Sequence, residues 1–449
     1  MSAPATRRLD RRSFLKGSAA LTAAAGLPAW FVERLLAGPE PAKPTSPNDR
    51  PNVALIGCGG RGTGIAHEAA KLGTIVAVCD VDSKRAEEAA KTFGGAKVYK
   101  DFRKLLERDD VHAVLDATPD HWHTLVNLAA VKAGKDVYSE KPLTLTIDEG
   151  KRLVAAVRQA KRVLQTGSQQ RSDPRFRLAC ELVRNGRLGK LTAVTTTLPA
   201  GPNKGPFKSQ PVPAELDWDF WQGQAPARDY LPERTHLWFR YWLDYSGGTM
   251  TDWGAHHNDI ALWGIGLDRS GPQTIEGQAT VEPVAGGFTA PAEYAVEYTY
   301  ANGVRHRCVS TTANNIFGGE ARPLKAGESF HGVKFEGPDG WILVTRGKIE
   351  ASRPELLKEP LGDSKKVALY ESNDHMGNFF ECLRTRKPPV CDAETGHRSV
   401  SLCHLGVIAI RLGRKLTWDP EKERFVNDKE ADGYLAREMR KPWTYDAVK

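Results

Sequence analysis

The chain has 449 residues, enough for two hydrophobic cores, with the 40% hydrophobic and 26% charged composition of a globular protein. Half of its formal charge of +8 lies in residues 1–50, which hold eight Arg or Lys against four Asp or Glu, so the rest is only mildly basic. Without a basic stripe or zinc-finger spacing nucleic acid is excluded as a partner, and seven cysteines with no CxxC pair exclude a disulfide framework and a structural zinc.

The opening "TRRLDRRSFLKGSAALTAAAGLPAWFVERLLAG" passes from basic to modestly apolar to small residues, a leader pattern. Its "RRSFLK" resembles the twin-arginine export signal, with Arg11 and Arg12 as the pair. The apolar run is short for a membrane span. Residues 1–49 are therefore expected to be leader and linker outside the fold, with a flexible Pro-rich stretch over 39–51.

From Asn52, "NVALIGCGGRGTGIAHEAAKLGTIVAVCD" reads as strand, glycine turn, helix, strand and acid. Gly57, Gly59 and Gly62 satisfy GxGxxG, which allows a tight turn, close approach to a pyrophosphate and close packing of helix on strand. Asp80, 23 residues after Gly57, ends the second strand where a carboxylate would accept from a ribose diol. It would also repel a 2′-phosphate, and no arginine follows immediately, so NAD is favoured over NADP. Asp80 could equally cap the next helix, and both roles could hold together.

The alternation continues through "DFRKLLERDD", "VHAVLDATPDHWH", a helix to Ala133 and the strand "KDVYSE". Strand and helix taking turns predict a parallel sheet over residues 50–168, with ligands at the C-terminal strand ends. "ATPDHWH" and "SEKP" both fall at such ends. Pro142 restricts Lys141 before it, so the lysine is expected to be aimed at the cofactor crevice.

With "GCGGRG", "TPDHWH", "GKDVYSEKPLTLT", "GGTMTDWGAHHNDIALW" and "HMGNFFECLRTRKPPVCDAETGHRSV", the chain resembles the Gfo/Idh/MocA oxidoreductases, the group of glucose-fructose oxidoreductase and inositol dehydrogenase. The resemblance implies an α/β fold. An N-terminal Rossmann domain is followed by a C-terminal α+β domain over 169–449, whose large, mostly antiparallel open sheet packs on a neighbouring subunit in a homodimer or homotetramer. It implies a cofactor site of Gly57, Gly59, Gly60, Arg61, Gly62, Asp80, Thr118, Pro119, His123, Glu140 and Lys141, and no metal.

After Leu191 the patterns favour antiparallel strands, including "AEYAVEYTYANGVRHRCVSTT" with Asn302-Gly303 as its hairpin turn and "GVKFEGPDGWILVTRGKIEAS". "GGTMTDWGAHHNDIALW" reads as a helix entered through Gly247 and Gly248, with Asp252 and His256 one turn apart on one face, His257 about 100° away, and Asp259 completing DxxxHxxD. In the resemblance Lys141, Asp252 and His256 surround the substrate carbinol. His256 is assigned as proton acceptor, Lys141 as orienting electrophile and Asp252 as substrate ligand; the roles of Lys141 and His256 could be exchanged. Gln170, Arg171, Trp238, Arg240, Tyr241 and His257 are the candidate substrate contacts, since aromatic faces with amide and guanidinium groups suit polyhydroxylated ligands. A terminal apolar helix from Ala393 and the tail after it are expected to pack across the domain interface.

The expected function is an exported NAD(P)-dependent oxidoreductase acting on a ring hydroxyl of a sugar, glycoside or cyclitol. Its cofactor is held tightly enough to survive passage by the twin-arginine translocation machinery into the periplasm. Transient oxidation followed by elimination would instead make a redox-neutral glycosidase. A non-catalytic sugar-binding protein on the same fold is the third possibility.

Overall fold

A computed structural model describes residues 26–37, 50–313, 317, 330–361 and 367–446. Short apolar runs between polar turns build the first sheet. Its strands are β1 (Asn52–Ile56), β2 (Thr74–Cys79), β3 (Lys97–Tyr99), β4 (Ala113–Asp116), β5 (Asp136–Ser139) and β6 (Leu164–Thr166), parallel in the order β3-β2-β1-β4-β5-β6. Every residue of β4 and β5 is buried, as a sheet covered on both faces requires. Leu125 and Leu153 cover one face; Ile65 and Phe379 cover the other.

The second sheet has nine strands: β7 (Ala193–Pro199), β8 (Thr274–Val281), β9 (Glu293–Thr299), β10 (Arg305–Thr311), β11 (Gly332–Gly337), β12 (Gly340–Thr345), β13 (Lys348–Ala351), β14 (Leu416–Asp419) and β15 (Arg424–Phe425). They lie in the order β13-β12-β11-β7-β10-β9-β8-β14-β15, with only the β7–β10 pair parallel. One face buries Tyr298, Phe335 and Ile342 with Phe176, Ile260 and Leu402 from helices, whereas Glu276, Glu297 and Arg307 on the other are exposed. Asn302-Gly303 turns between β9 and β10, with Gly303 at φ +84°.

Seven helices run in chain order after α1 (Ala29–Ala37): α2 (Gly60–Ala69), α3 (Ser83–Thr92), α4 (Phe102–Leu106), α5 (Asp120–Lys132), α6 (Ile147–Ala160), α7 (Pro174–Arg184) and α8 (Trp218–Gln222). They are followed by α9 (Thr249–Asp252), α10 (Gly254–Ile265), α11 (His375–Thr385) and α12 (Ala393–Leu412). Thr146 and Glu149 close a capping box at the start of α6. Against that helix, and against β8 and α10 of the other lobe, packs α12. Among the described residues no helix is long and apolar enough to cross a membrane, and all seven cysteines are buried free thiols.

Two segments differ from the expected division at residues 49 and 168. First, α1 lies inside the expected leader yet belongs to the fold. Phe31 and Val32 are fully buried in the second lobe's core, Trp30 Nε1 donates to the Leu357 carbonyl (3.0 Å), and Arg34 pairs with Glu181 at 2.8 Å. Its apolar residues read as leader because a leader and a short buried helix share that composition. Residues 1–25, with Arg11 and Arg12, lie outside the described residues. Second, α11 returns to the first lobe, where Met376, Phe379 and Cys382 cover the parallel sheet. The tail crosses between lobes as expected: Trp443 packs edge-on to Trp122 (4.9 Å) and stacks on Phe220 (5.5 Å).

Candidate functional site

The C-terminal ends of β1, β2, β4 and β5 open into a cavity of about 580 Å³ walled on its far side by the second lobe. The β1–α2 turn can be tight only without side chains. Gly57 adopts φ +89°, and a Cβ there would lie 2.5 Å from the Ala117 carbonyl carbon; one on Gly62 would lie 1.9 Å from the Gly57 oxygen. Gly60 faces open space and no side chain caps α2, so the first N–H groups of that helix are left for an anion.

At the end of β2, Asp80 accepts from the N–H groups of Cys58 (2.7 Å) and Asp82 (2.9 Å). Burial pushes its carboxyl up from the usual range, against the pull of those two donors. Each oxygen keeps a lone pair for a diol. The helix cap considered for Asp80 is supplied by Asp82, which accepts from Arg85 N–H at 3.1 Å. An open glycine floor, an uncapped helix start and a carboxylate at the β2 end together fit a dinucleotide.

The other end of the cavity is crowded with charge. Lys141 Nζ lies 2.5 Å from Asp252 Oδ1, and Arg240 Nε reaches the same oxygen at 3.4 Å. Burial alone would raise the Asp252 pKa, but the two cations outweigh it and hold the carboxyl below its usual range. Behind Lys141, Glu140 accepts from Arg61 Nε (2.7 Å) and Gln169 Nε2 (3.2 Å). The His123 ring bridges the Thr118 and Pro142 carbonyls, its nitrogens 2.8 and 2.6 Å away, and so ties the β4 turn to the Lys141 turn.

His256 enters from α10. The expected single helix is interrupted at Trp253, whose backbone stays helical while α9 ends at Asp252 and α10 starts at Gly254. The two side chains still point to one region. His256 is 7% exposed and lines the cavity with Lys141, and among the described residues its buried Nδ1 has no hydrogen-bond partner. Burial first, then the positive charges of Lys141 and Arg346, push its pKa well below 6.5.

Residues 51–168 match the NAD-binding Rossmann fold of an oxidoreductase family, and 200–445 match that family's C-terminal alpha/beta domain. The chain belongs to the Gfo/Idh/MocA family. Residues 8–28 match the twin-arginine translocation pathway signal sequence. Myo-inositol 2-dehydrogenase of Thermotoga maritima is 34% identical over 33% of this chain and 46% of its own length. Levoglucosan dehydrogenase of Pseudarthrobacter phenanthrenivorans is 31% identical over 32% and 40%. Glycosyl hydrolase family 109 protein 2 of Shewanella sp. (strain ANA-3) is 36% identical over 31% and 35%, so the chain spans less than half the length of each of these three relatives. The structure of WlbA dehydrogenase from Bordetella pertussis, in complex with NADH and UDP-GlcNAcA, has the same fold. Its TM-score is 0.61 at 18% identity, over 82% of this chain and 99% of that one.

In this Gfo/Idh/MocA chain the residues expected at the cofactor, Gly57, Gly59, Gly60, Arg61, Gly62, Asp80, Thr118, Pro119, His123, Glu140 and Lys141, all line the one cavity, as do His256 and Arg240. The other expected substrate contacts lie elsewhere. Asp252 sits behind Lys141 and Arg240, its carboxylate committed to them. Arg171 is buried in a bidentate pair with Asp259 (2.8 and 2.7 Å) over the Trp263 ring, so both Arg171 and the last acid of DxxxHxxD are structural. His257 stacks on Trp253 and faces His331 Nδ1 at 2.8 Å. Trp238 and Tyr241 pack on Phe288, and Gln170 supports the cavity wall from outside. Sequence reasoning missed Arg85, His236, Phe239 and Arg346. Arg346 alone carried a signal, an Arg-Gly pair where one strand pattern turns into the next.

Proposed function

We propose that the protein is an exported NAD-dependent oxidoreductase that transfers hydride between a ring hydroxyl of a sugar, glycoside or cyclitol and a tightly held nicotinamide cofactor. The observation that carries this reading is that Lys141 from one lobe and His256 from the other line a single cavity with the glycine cradle. Gly57, Gly62, Asp80 and the start of α2 would hold the cofactor, and Asp80 favours NAD over NADP because it repels a 2′-phosphate. Arg85, which could have offset that repulsion, lies 3.3 Å from Asp82 as its ion-pair partner.

NAD, when bound, supplies the hydride acceptor. Lys141, paired with Asp252, donates to the substrate oxygen and stabilises the negative charge that develops there. His256, neutral because its pKa is so depressed, takes the hydroxyl proton on Nε2, the ring nitrogen left to the cavity. The C–H electron pair leaves as hydride and the carbinol becomes a ketone. Asp252 acts through Lys141 and Arg240, not as a substrate ligand.

Two features support a retained cofactor and export. The segment carrying Leu216, Phe220 and Trp221 closes over the nucleotide end, latched by Ser83 N–H to the Glu215 carbonyl (2.9 Å) and Asp217 N–H to the Val81 carbonyl (3.0 Å). The twin-arginine signal match supports delivery of the folded protein to the periplasm. The exposed face of the nine-stranded sheet is the surface on which a homodimer or homotetramer would form. Protein purified from the cytoplasm should carry bound nicotinamide and, with a panel of glycosides and cyclitols, develop the absorbance of its reduced form. A preparation that neither contains nor takes up NAD(H) sinks this reading and revives a non-catalytic sugar-binding protein.

The likeness to the glycosyl hydrolase family 109 protein favours one second reading, a redox-neutral glycosidase working by transient oxidation and elimination. A released aglycone with the cofactor recycled would establish it; a ketone-bearing product would exclude it.

A further inference from the structure

Arg346 is held as a cation waiting for an anion. Strands β12 and β13 pair up to Thr345 opposite Lys348, so Arg346 and Gly347 form a two-residue turn, with Gly347 at φ +99°. From this short hairpin the guanidinium reaches over the Trp253 ring, its carbon 4.8 Å from the ring centroid. Gln170 bridges it to the base: its amide nitrogen donates to the His256 carbonyl (2.9 Å) and its oxygen accepts from Arg346 Nε (3.2 Å). Among the described residues neither terminal nitrogen has a protein partner, and the side chain lines the same cavity as His256 and Lys141.

The charges beside it are spent on each other. Asp252 serves Lys141 and Arg240, and Glu140 serves Arg61. No carboxylate among the described residues pairs with Arg346, and burial together with nearby Arg61 works against its charged form. A fork of N–H donors anchored at Nε and by an aromatic face recognises a carboxylate or phosphate by two parallel hydrogen bonds.

We infer that Arg346 is the specificity-determining residue for an anionic substituent, a carboxylate or a phosphate, on the sugar or cyclitol. This rests on the oxidoreductase reading for the ring that carries the substituent, but the recognition itself needs no turnover. The oxyanion would sit on the two free nitrogens of Arg346, and the ring would lie between it and the Lys141–His256 pair.

The test is calorimetric binding to the NAD-loaded full chain. Matched pyranosides are offered in three forms: the neutral methyl glycoside, its 6-carboxylate and its 6-phosphate. At least one acidic form should bind about tenfold or more tighter than its neutral partner. R346M should bring that ratio to about one, R346K should restore part of it, and NADH titrated by fluorescence should bind R346M as it binds the parent. The carboxylate and phosphate arms separate the two sources. Equal affinity for acidic and neutral forms in the parent, an acid preference that survives R346M, or a matching loss of NADH affinity would each overturn the assignment. Absence of turnover with every member would count against the oxidoreductase reading while leaving the binding ratios to decide this one.

Discussion

The two walls of the cavity were built by different rules. On the first lobe, parallel strands all present their C-terminal ends to one edge, so a residue's position after a strand already says where its side chain goes. Gly57, Asp80, Thr118 and Lys141 follow β1, β2, β4 and β5 in turn and share one cavity. The second lobe has no such edge. Its strands are mostly antiparallel, their connections leave in both directions, and the wall comes from α10, a loop near His236 and the β12–β13 turn. Function on a parallel sheet is set by chain order, whereas on an antiparallel one it is set by which loops happen to meet.

The sharpest way to break this comparison is to remove a strand-end residue. Lys141→Met should lower kcat by about 10³-fold or more while bound nicotinamide is retained, because a donor to the developing oxyanion is lost but the cradle is not. Near-normal turnover would mean that the strand-end rule does not extend to chemistry. Next in size are the buried residues. Arg171→Ala strands Asp259 without its partner and should cost ~3–5 kcal/mol in denaturant unfolding, with KM for the substrate unchanged in the folded fraction. A raised KM at unchanged stability would return Arg171 to the site.

Phe31→Ala should cost ~3–5 kcal/mol by the same measurement, since that ring is fully buried against the second lobe. A change of under about 0.5 kcal/mol, the range of surface substitutions, would return α1 to the linker.

A last prediction concerns pH. Burial depresses His121, His306 and His404 to about 3 and His375 to about 4. The unfolded chain takes up protons on these rings below about 6.5 while the folded one does not, so stability is full above that pH and falls as pH drops from there toward 4. Thermal unfolding across that window should show the slope. His256 shares the sign: its depressed pKa should keep activity from being lost as pH falls through the ordinary histidine range.

Both sheets were legible as patterns, one from strand–helix alternation and the other from runs of alternating residues with Asn302-Gly303 between them. Lys141 was legible because proline fixes its neighbourhood at a strand end. Arg171 was misread because an arginine in a polar run looks the same whether it meets a ligand or a buried carboxylate 88 residues on. Arg346 was passed over for the converse reason. Its Arg-Gly turn announces a hairpin, but nothing local tells which end of a nine-stranded sheet will overhang the other lobe. Local chemistry is written in sequence windows; convergence of distant loops is not.

The signal match ends at residue 28 and α1 begins at Ala29, so the export address abuts the folded body without a spacer. Leu27 is already part of the core. Removal of the chain through α1 would take Phe31 and Val32, as well as Leu27, out of the second lobe's core.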